Sequence, residues 1–465
     1  MANFAAFERK MTAAGMGRAP VLAFRRNYEA LLRNESGLIP EHSIEPTPDL
    51  TSFADLAETG PAALDLLDQA VVIKLNGGLG TSMGLQGPKS LLPVRDGVTF
   101  LDLMVRQILD LRQRSGSQVR LLLMNSFSTS RETLQHLARY AGDAGMPPAA
   151  IHPSAAWLAD ASQVELMQNQ IPKIDATTLE PVTWVADPAL EWCPPGHGDL
   201  FPALVGSGWL ERLLAQGIRY AFVSNSDNLG AILDPALLNY FAASEAPFLM
   251  EVTRRTAADR KGGHLAVRKS DGRLLLREVA QCADADIAAF QDIDRHRYFN
   301  TNSLWLRLDL LKEQLAADGG ALPLPMIRNH KTVDPRDKSS PAVIQLETAM
   351  GAAIECFAGA AAIEVPRSRF APVKNTADLL ALRSDAYQIL AGGQVRLHPD
   401  RHGVPPVITL CDDYKLVDQL GALGVPGLLR CRSLTVTGPS HFPPGTVLDG
   451  DVTWTGTRQV PLVRS

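Results

Sequence analysis

The stretch Val71–Ser90, VVIKLNGGLGTSMGLQGPKS, most constrains what this chain can fold into. A run rich in β-branched residues passes straight into a loop with five glycines, one proline and one lysine. Open α/β sheets bind their ligands at such places, outside the carboxyl ends of the strands. Glycine lets backbone N–H groups approach a phosphate or a base with no Cβ in the way. Two familiar phosphate loops do not fit. A P-loop needs Gly directly before Lys, and Pro88 stands between Gly87 and Lys89. A dinucleotide fingerprint needs a third glycine where Met83 stands.

The rest of the chain extends this pattern. Residues 1–36 read as helical, and the proline-rich 38–50 as a connector. From about residue 70, strand-like runs alternate with helical ones. After the glycine loop, Leu101, Met104, Val105, Ile108 and Leu111 form one helix face. VRLLLMNS follows as a strand, then a helix for which Thr129 and Glu132 have capping-box spacing. YAFVSNSDN, PFLMEV, FNTNSLWL and AAIEV read as further strands. The alternation predicts an α/β fold: an open, mostly parallel sheet with helices on both faces. Beyond residue 392, short β runs separated by Gly/Pro turns predict a small separate β domain. The expected division is 1–55, 56–392 and 393–465.

A chain of 465 residues exceeds one compact core. With 45 Lys and Arg against 50 Asp and Glu, the formal net charge is −5. No basic block points to nucleic acid or an anionic membrane. The five scattered cysteines form no CxxC pair, which fits a reducing compartment and no zinc site. The N-terminal residues lack a secretory leader pattern, and AMGAAIECFAGAAAIEV is broken by Glu355 and too short to cross a bilayer. The expectation is a cytoplasmic protein.

KLNGGLGTSMGLQGPKS resembles the nucleotide-binding loop of the eukaryotic-type UTP–glucose-1-phosphate uridylyltransferases, the UDP-glucose pyrophosphorylases. Six more stretches resemble that family in order: PPGHGD (194–199), FVSNSDNLGA (222–231), EVTRRTAADRKGG (251–263), FNTNSLW (299–305), VIQLETAMGAAI (343–354) and RFAPVKNTADLL (369–380). The resemblance implies a nucleotide-diphospho-sugar transferase core, glycosyltransferase A-like and Rossmann-like. It also implies an N-terminal helical segment and a C-terminal left-handed β-helix through which a homo-oligomer could form. The implied reaction joins UTP and glucose 1-phosphate into UDP-glucose and pyrophosphate with Mg²⁺. A sugar-phosphate oxygen attacks the α-phosphorus in line, so positioning and cations should dominate catalysis.

By the same resemblance, Lys89 and Lys374 match phosphate-contacting lysines, and Lys261 a third. Asp227, directly after the strand YAFVS, is the carboxylate for Mg²⁺. Leu75, Asn76, Gly77, Gly78 and Gly196 belong to the uridine site. Gln168 aligns with a uracil-reading glutamine, although Met167 and Asn169 depart from the family's segment and Gln170 competes locally. His197 and Asn225 should face the sugar or its phosphate. Asn302 and Glu278 are candidates for glucose hydroxyls, with Ser303 where the family usually has a second Asn. Glu347 reads as local support.

Three other functions share parts of this pattern. A UTP-dependent pyrophosphorylase of different or broader sugar choice would share the phosphate machinery. A non-catalytic nucleotide-sugar-binding protein would have lost one of Lys89, Asp227 and Lys374. A glycosyltransferase using a UDP-sugar would more typically show a DxD-type metal motif, which NSDN is not.

Overall fold

The computed structural model of the chain describes residues 4–56, 64–141, 153–256 and 259–456. Its centre is a 10-stranded sheet. In chain order the strands are β1 (Ile44–Pro46), β2 (Ala70–Asn76), β3 (Arg120–Asn125), β4 (Glu165–Met167), β5 (Tyr220–Asn225), β6 (Phe248–Arg254), β7 (His264–Arg268), β8 (Leu274–Arg277), β9 (Tyr298–Arg307) and β10 (Ala361–Glu364). They lie in the order β1-β7-β9-β5-β2-β3-β4, with β6 pairing β9 and β10, and β8 pairing β7.

The sheet is mixed, which corrects the expectation of a mostly parallel one. β5, β2, β3 and β4 run parallel to one another. β9 is antiparallel to both β5 and β6, and β7 is antiparallel to β1 and β8. Apolar runs carry no sign of strand direction, and β9 reaches its place between β5 and β6 from far along the chain. The connector 38–50 is corrected too, because residues 44–46 within it form β1 and add an edge to the sheet.

Successive residues of a strand point to opposite faces, and both faces here are covered. Val72, Leu121, Leu123, Phe222 and Trp305 face one core, which includes the expected helix face Leu101, Met104, Val105, Ile108 and Leu111. Val71, Ile73, Leu122, Ala221 and Val223 face the other, closed by helices Leu200–Gly206, Trp209–Ala215 and Leu308–Ala317. Helices Ala5–Ala13 and Arg18–Leu32 form a third cluster with Ile171, Ile174, Ile344 and Leu346. Near the C-terminus, Val407–Leu410, Gly427–Thr437 and Val447–Thr455 form a three-stranded parallel sheet. The expected capping box at Thr129 does not form: its hydroxyl accepts the Ser126 N–H at 2.9 Å instead. The five cysteines are free thiols.

A buried polar cluster lies beneath the carboxyl end of β2. Glu251 accepts two bonds from the Arg369 guanidinium at 2.8 Å and one from Trp305 Nε1 at 2.9 Å. Lys74, 2% exposed, donates to Ser224 Oγ and the Ala231 carbonyl. Burial, then the nearby Arg369 charge, lowers Lys74 to about 7. Glu251→Gln leaves Arg369 as an uncompensated buried cation, so denaturant unfolding should show a loss of about 3–5 kcal/mol. Glu251→Gln combined with Arg369→Met should recover much of that loss. A single variant as stable as the parent would refute the assignment.

Candidate active site

β2 ends at Asn76, and the chain turns across the sheet's carboxyl edge. Asn76 itself points inward, donating to Asn125 Oδ1 at 2.7 Å and Thr133 Oγ1 at 3.1 Å. Its backbone leads into Gly77, where a Cβ would lie 2.7 Å from Gln168 Oε1, so a side chain there would displace the Gln168 amide. The loop returns so that the Lys89 N–H donates to the Gly78 carbonyl at 3.1 Å. Leu75, Gly77, Gly78 and Lys89 thus line one side of an open cavity of about 350 Å³.

The facing walls come from three other segments. Gln168 stands just beyond β4; its N–H donates to the Asn125 carbonyl at 2.7 Å and its Nε2 to the Gly196 carbonyl at 3.0 Å. Gln168 lines the cavity and Gln170 does not, which separates the two glutamines the sequence left in competition. Gly196 adopts φ +79, and a Cβ there would meet the Thr348 carbonyl at 2.5 Å. That backbone sets His197, whose Nδ1 accepts the Met350 N–H at 3.0 Å. The neutral ring therefore carries its proton on Nε2. Burial, then the positive charge of Lys374, lowers His197 to about 4, so it is neutral at ordinary pH.

Asn225 and Asp227 complete the cavity at the end of β5. Asp227 Oδ2 accepts from both Lys89 Nζ and Lys374 Nζ, each at 2.9 Å. Asp227 Oδ1 is buried and has no hydrogen-bond partner among the described residues. Lys374 reaches this point because the Val373 N–H donates to the Asp227 carbonyl at 3.1 Å. Asn228 strengthens the link, donating to the Arg369 carbonyl and accepting the Ala371 N–H, both at 3.0 Å. Asp378 holds the Lys374 N–H at 2.7 Å.

The remaining candidates lie outside this lining. Asn302 touches the site through Asn225, donating from Nδ2 to Asn225 Oδ1 at 2.9 Å. It sits at φ +58, a conformation uncommon for a side-chain-bearing residue. Glu278 faces Gly263, where a Cβ would lie 2.5 Å from its Oε2, and burial raises its carboxyl. Lys261 is exposed on the same turn. Glu347 accepts from Asn329 Nδ2 at 3.0 Å, a bond between neighbouring strands in line with local support.

Met124, Pro194 and Ser226 also line the cavity and were missed in the sequence. Pro194 lies in PPGHGD and Ser226 in FVSNSDNLGA, two of the family-like stretches. Met124 had no such signal, since it enters only through the parallel register that sets it beside Leu75.

A family model described as UTP–glucose-1-phosphate uridylyltransferase matches residues 21–449. The chain belongs to this family. The potato (Solanum tuberosum) UTP–glucose-1-phosphate uridylyltransferase is 43% identical over 408 residues, covering 86% of this chain and 80% of the relative. The enzyme of that name from Saccharomyces cerevisiae is 40% identical over 418 residues, covering 89% and 78%. A crystal structure of UDP-glucose pyrophosphorylase from Leishmania major superposes with a TM-score of 0.89 at 47% identity, over 99% of this chain and 96% of that one. A second structure from that organism, in complex with UDP-glucose, gives 0.88 at 47% identity, over 97% and 94%. The family match over 21–449 takes in the mixed sheet and every segment that meets at the cavity.

Proposed function

We propose that the chain transfers UMP from UTP to glucose 1-phosphate, giving UDP-glucose and pyrophosphate. The observation that carries this is the placement of two lysines on one carboxylate at the mouth of a glycine-walled cavity. In-line displacement at phosphorus has little covalent chemistry for a protein to do. It needs the two anions held together and the leaving oxygen's charge met by fixed cations.

Uracil rests between the Gly77–Gly78 backbone, Gln168 and Gly196, and the triphosphate runs toward Lys89. The sugar phosphate lies near His197, Asn225 and Lys374. His197 Nε2–H donates to a phosphate oxygen, its ring held by the Met350 N–H. Lys89 meets the developing charge on pyrophosphate, and Lys374 brings the attacking oxygen close. Asn302 fixes the Asn225 amide against the hexose. Glu278 and Lys261 are outer contacts to the sugar and the phosphates.

Asp227 is the residue that would hold Mg²⁺, and its buried, unpartnered Oδ1 fits that role. Among the described residues no cluster of three or more His, Cys, Asp or Glu could hold a metal by itself. That fits an ion that arrives with the nucleotide and takes its other ligands from phosphate and water. Bound there, Mg²⁺ supplies charge neutralisation across the phosphates.

The finer architecture goes with the same reading: a glycosyltransferase A-like core that takes in strand β1, an N-terminal helical segment and a C-terminal left-handed β-helix. The parallel pairing of the three C-terminal strands supports the last, and with it a homo-oligomer formed there. No helix among the described residues is long and apolar enough to cross a membrane. We place the enzyme in the cytoplasm, where its free thiols fit a reducing compartment.

The test is pyrophosphate release from MgUTP with a panel of sugar 1-phosphates. Turnover with glucose 1-phosphate should exceed that with galactose or N-acetylglucosamine 1-phosphate by at least about tenfold, as expected when polar groups are left unpaired by the wrong sugar. Equal rates would replace this reading with a broad sugar-phosphate pyrophosphorylase. No turnover with any sugar would overturn the enzyme assignment.

A further inference from the structure

Asp199 is a buried carboxylate that the mechanism above does not use. It is 3% exposed. No Lys, Arg or His among the described residues pairs with it, and its donors are both on Asn169. The Asn169 N–H reaches Oδ2 at 2.6 Å, and Asn169 Nδ2 reaches Oδ1 at 3.0 Å and Oδ2 at 3.1 Å. Burial raises this carboxyl to about 7. A carboxylate taken from water without a cation is costly to fold around. Asp199 also forgoes a more ordinary partner. It occupies the cap position of helix Leu200–Gly206, where Asp normally accepts a backbone N–H of the first turn, and makes no such bond. Both costs are met in order to join two segments 30 residues apart in sequence.

Those segments form two walls of the cavity. On one side of Asn169 stands Gln168, held by Asn125 and bonded to the Gly196 carbonyl. Ahead of Asp199 runs the Gly196–His197–Gly198 turn, wedged so tightly against Thr348 that a Cβ on Gly198 would lie 2.3 Å from Thr348 Oγ1. With Asp199 in place, Gln168 has one fixed distance to the Gly196 backbone. We propose that Asp199 is a positioning residue for nucleobase recognition, clamping the Gln168–Asn169 segment to the Gly196–His197 turn so that uracil meets a preformed edge. The clamp rests on the reading of Gln168 and Gly196 as base contacts. It acts on binding and base choice, and leaves the lysines and Asp227 in place.

The experiment compares Asp199→Ala, Asp199→Asn, Asn169→Ala and Gln168→Ala in the full chain. Each is followed by kcat and KM for UTP, the preference for UTP over CTP, and the calorimetric Kd for UDP-glucose. Asp199→Ala should raise KM for UTP and Kd for UDP-glucose about tenfold or more, shrink the preference for UTP, and keep kcat within about threefold. Asp199→Asn still accepts the Asn169 N–H and can set its amide head to tail with that of Asn169, so it should restore most of the binding. Asn169→Ala should move the same quantities in the same direction, and it decides the matter if Asp199→Ala does not fold. A fall in kcat with KM unchanged, or no change in any variant but Gln168→Ala, would overturn the clamp. If Gln168→Ala itself leaves KM and base preference unchanged, the base-contact reading fails, and the clamp with it.

Discussion

Lys89→Ala is expected to lower kcat for UDP-glucose formation about 10³-fold while KM for UTP changes only several-fold. Lys89 Nζ lies 2.9 Å from Asp227 Oδ2 at the cavity mouth, on a loop whose backbone is tied to Gly78. A cation so placed does most where negative charge builds up, on the oxygen that leaves with pyrophosphate. Removing one preorganised group that stabilises transition-state charge typically costs 10²–10³ in kcat, and removing a catalytic arginine from a phosphoryl-transfer site about 10³–10⁵. Ground-state binding is spread over the nucleobase wall and the other phosphate contacts, so KM should move little. Rapid-quench and steady-state rates in both directions are the measurement. The reverse reaction should fall by a similar factor, because both directions cross the same transition state. A loss below tenfold in either direction would remove Lys89 from the chemistry.

Most of the site could be read from the sequence because its parts are short, rigid and motif-bound. NSDN sits at the end of an apolar strand, GPKS on a fixed turn, and GHG between prolines and a helix. Each of these local constraints survives into the fold. What could not be read depends on contacts between distant segments. The direction of β9 is one case. FNTNSLWL is a clear strand, yet its place between β5 and β6 is set by pairing and by a register shift between Glu251 and Val252. Met124 is another, placed beside Leu75 by strand register alone. Asn228 is a third. In the sequence it only ends the strand-like run YAFVSNSDN, whereas in the structure its amide binds the segment that delivers Lys374. Thr129 shows the opposite failure. Its spacing with Glu132 fits a helix cap, but the Ser126 backbone takes the hydroxyl first. Ser126 is itself tied to the glycine loop, its hydroxyl donating to the Gly77 carbonyl at 3.0 Å, and local preference loses to that longer-range contact.

Asp227→Asn should produce the second large effect, with an opposite sign in two measurements. Among the described residues that line the cavity, Asp227 is the only carboxylate. One of its oxygens anchors Lys89 and Lys374 together, and the other has no partner among the described residues. On the proposed function, substrate binding would require an exchange: the lysines would pass from the carboxylate to phosphate, and Asp227 would be free to hold Mg²⁺. Asparagine keeps the shape and removes the charge. Turnover at saturating Mg²⁺ should fall about 10³-fold, equivalent to about 4 kcal/mol of transition-state stabilisation. The Mg²⁺ concentration for half-maximal rate should rise. Without metal the variant should bind inorganic pyrophosphate more tightly than the parent, because two lysines then face the cavity with no competing anion. Calorimetry in EDTA measures this directly. Weaker turnover with tighter metal-free pyrophosphate binding would establish that Asp227 holds the lysines in reserve. If turnover and metal-free affinity fell together, Asp227 would be a structural anchor for the loop, and the exchange would have to be abandoned.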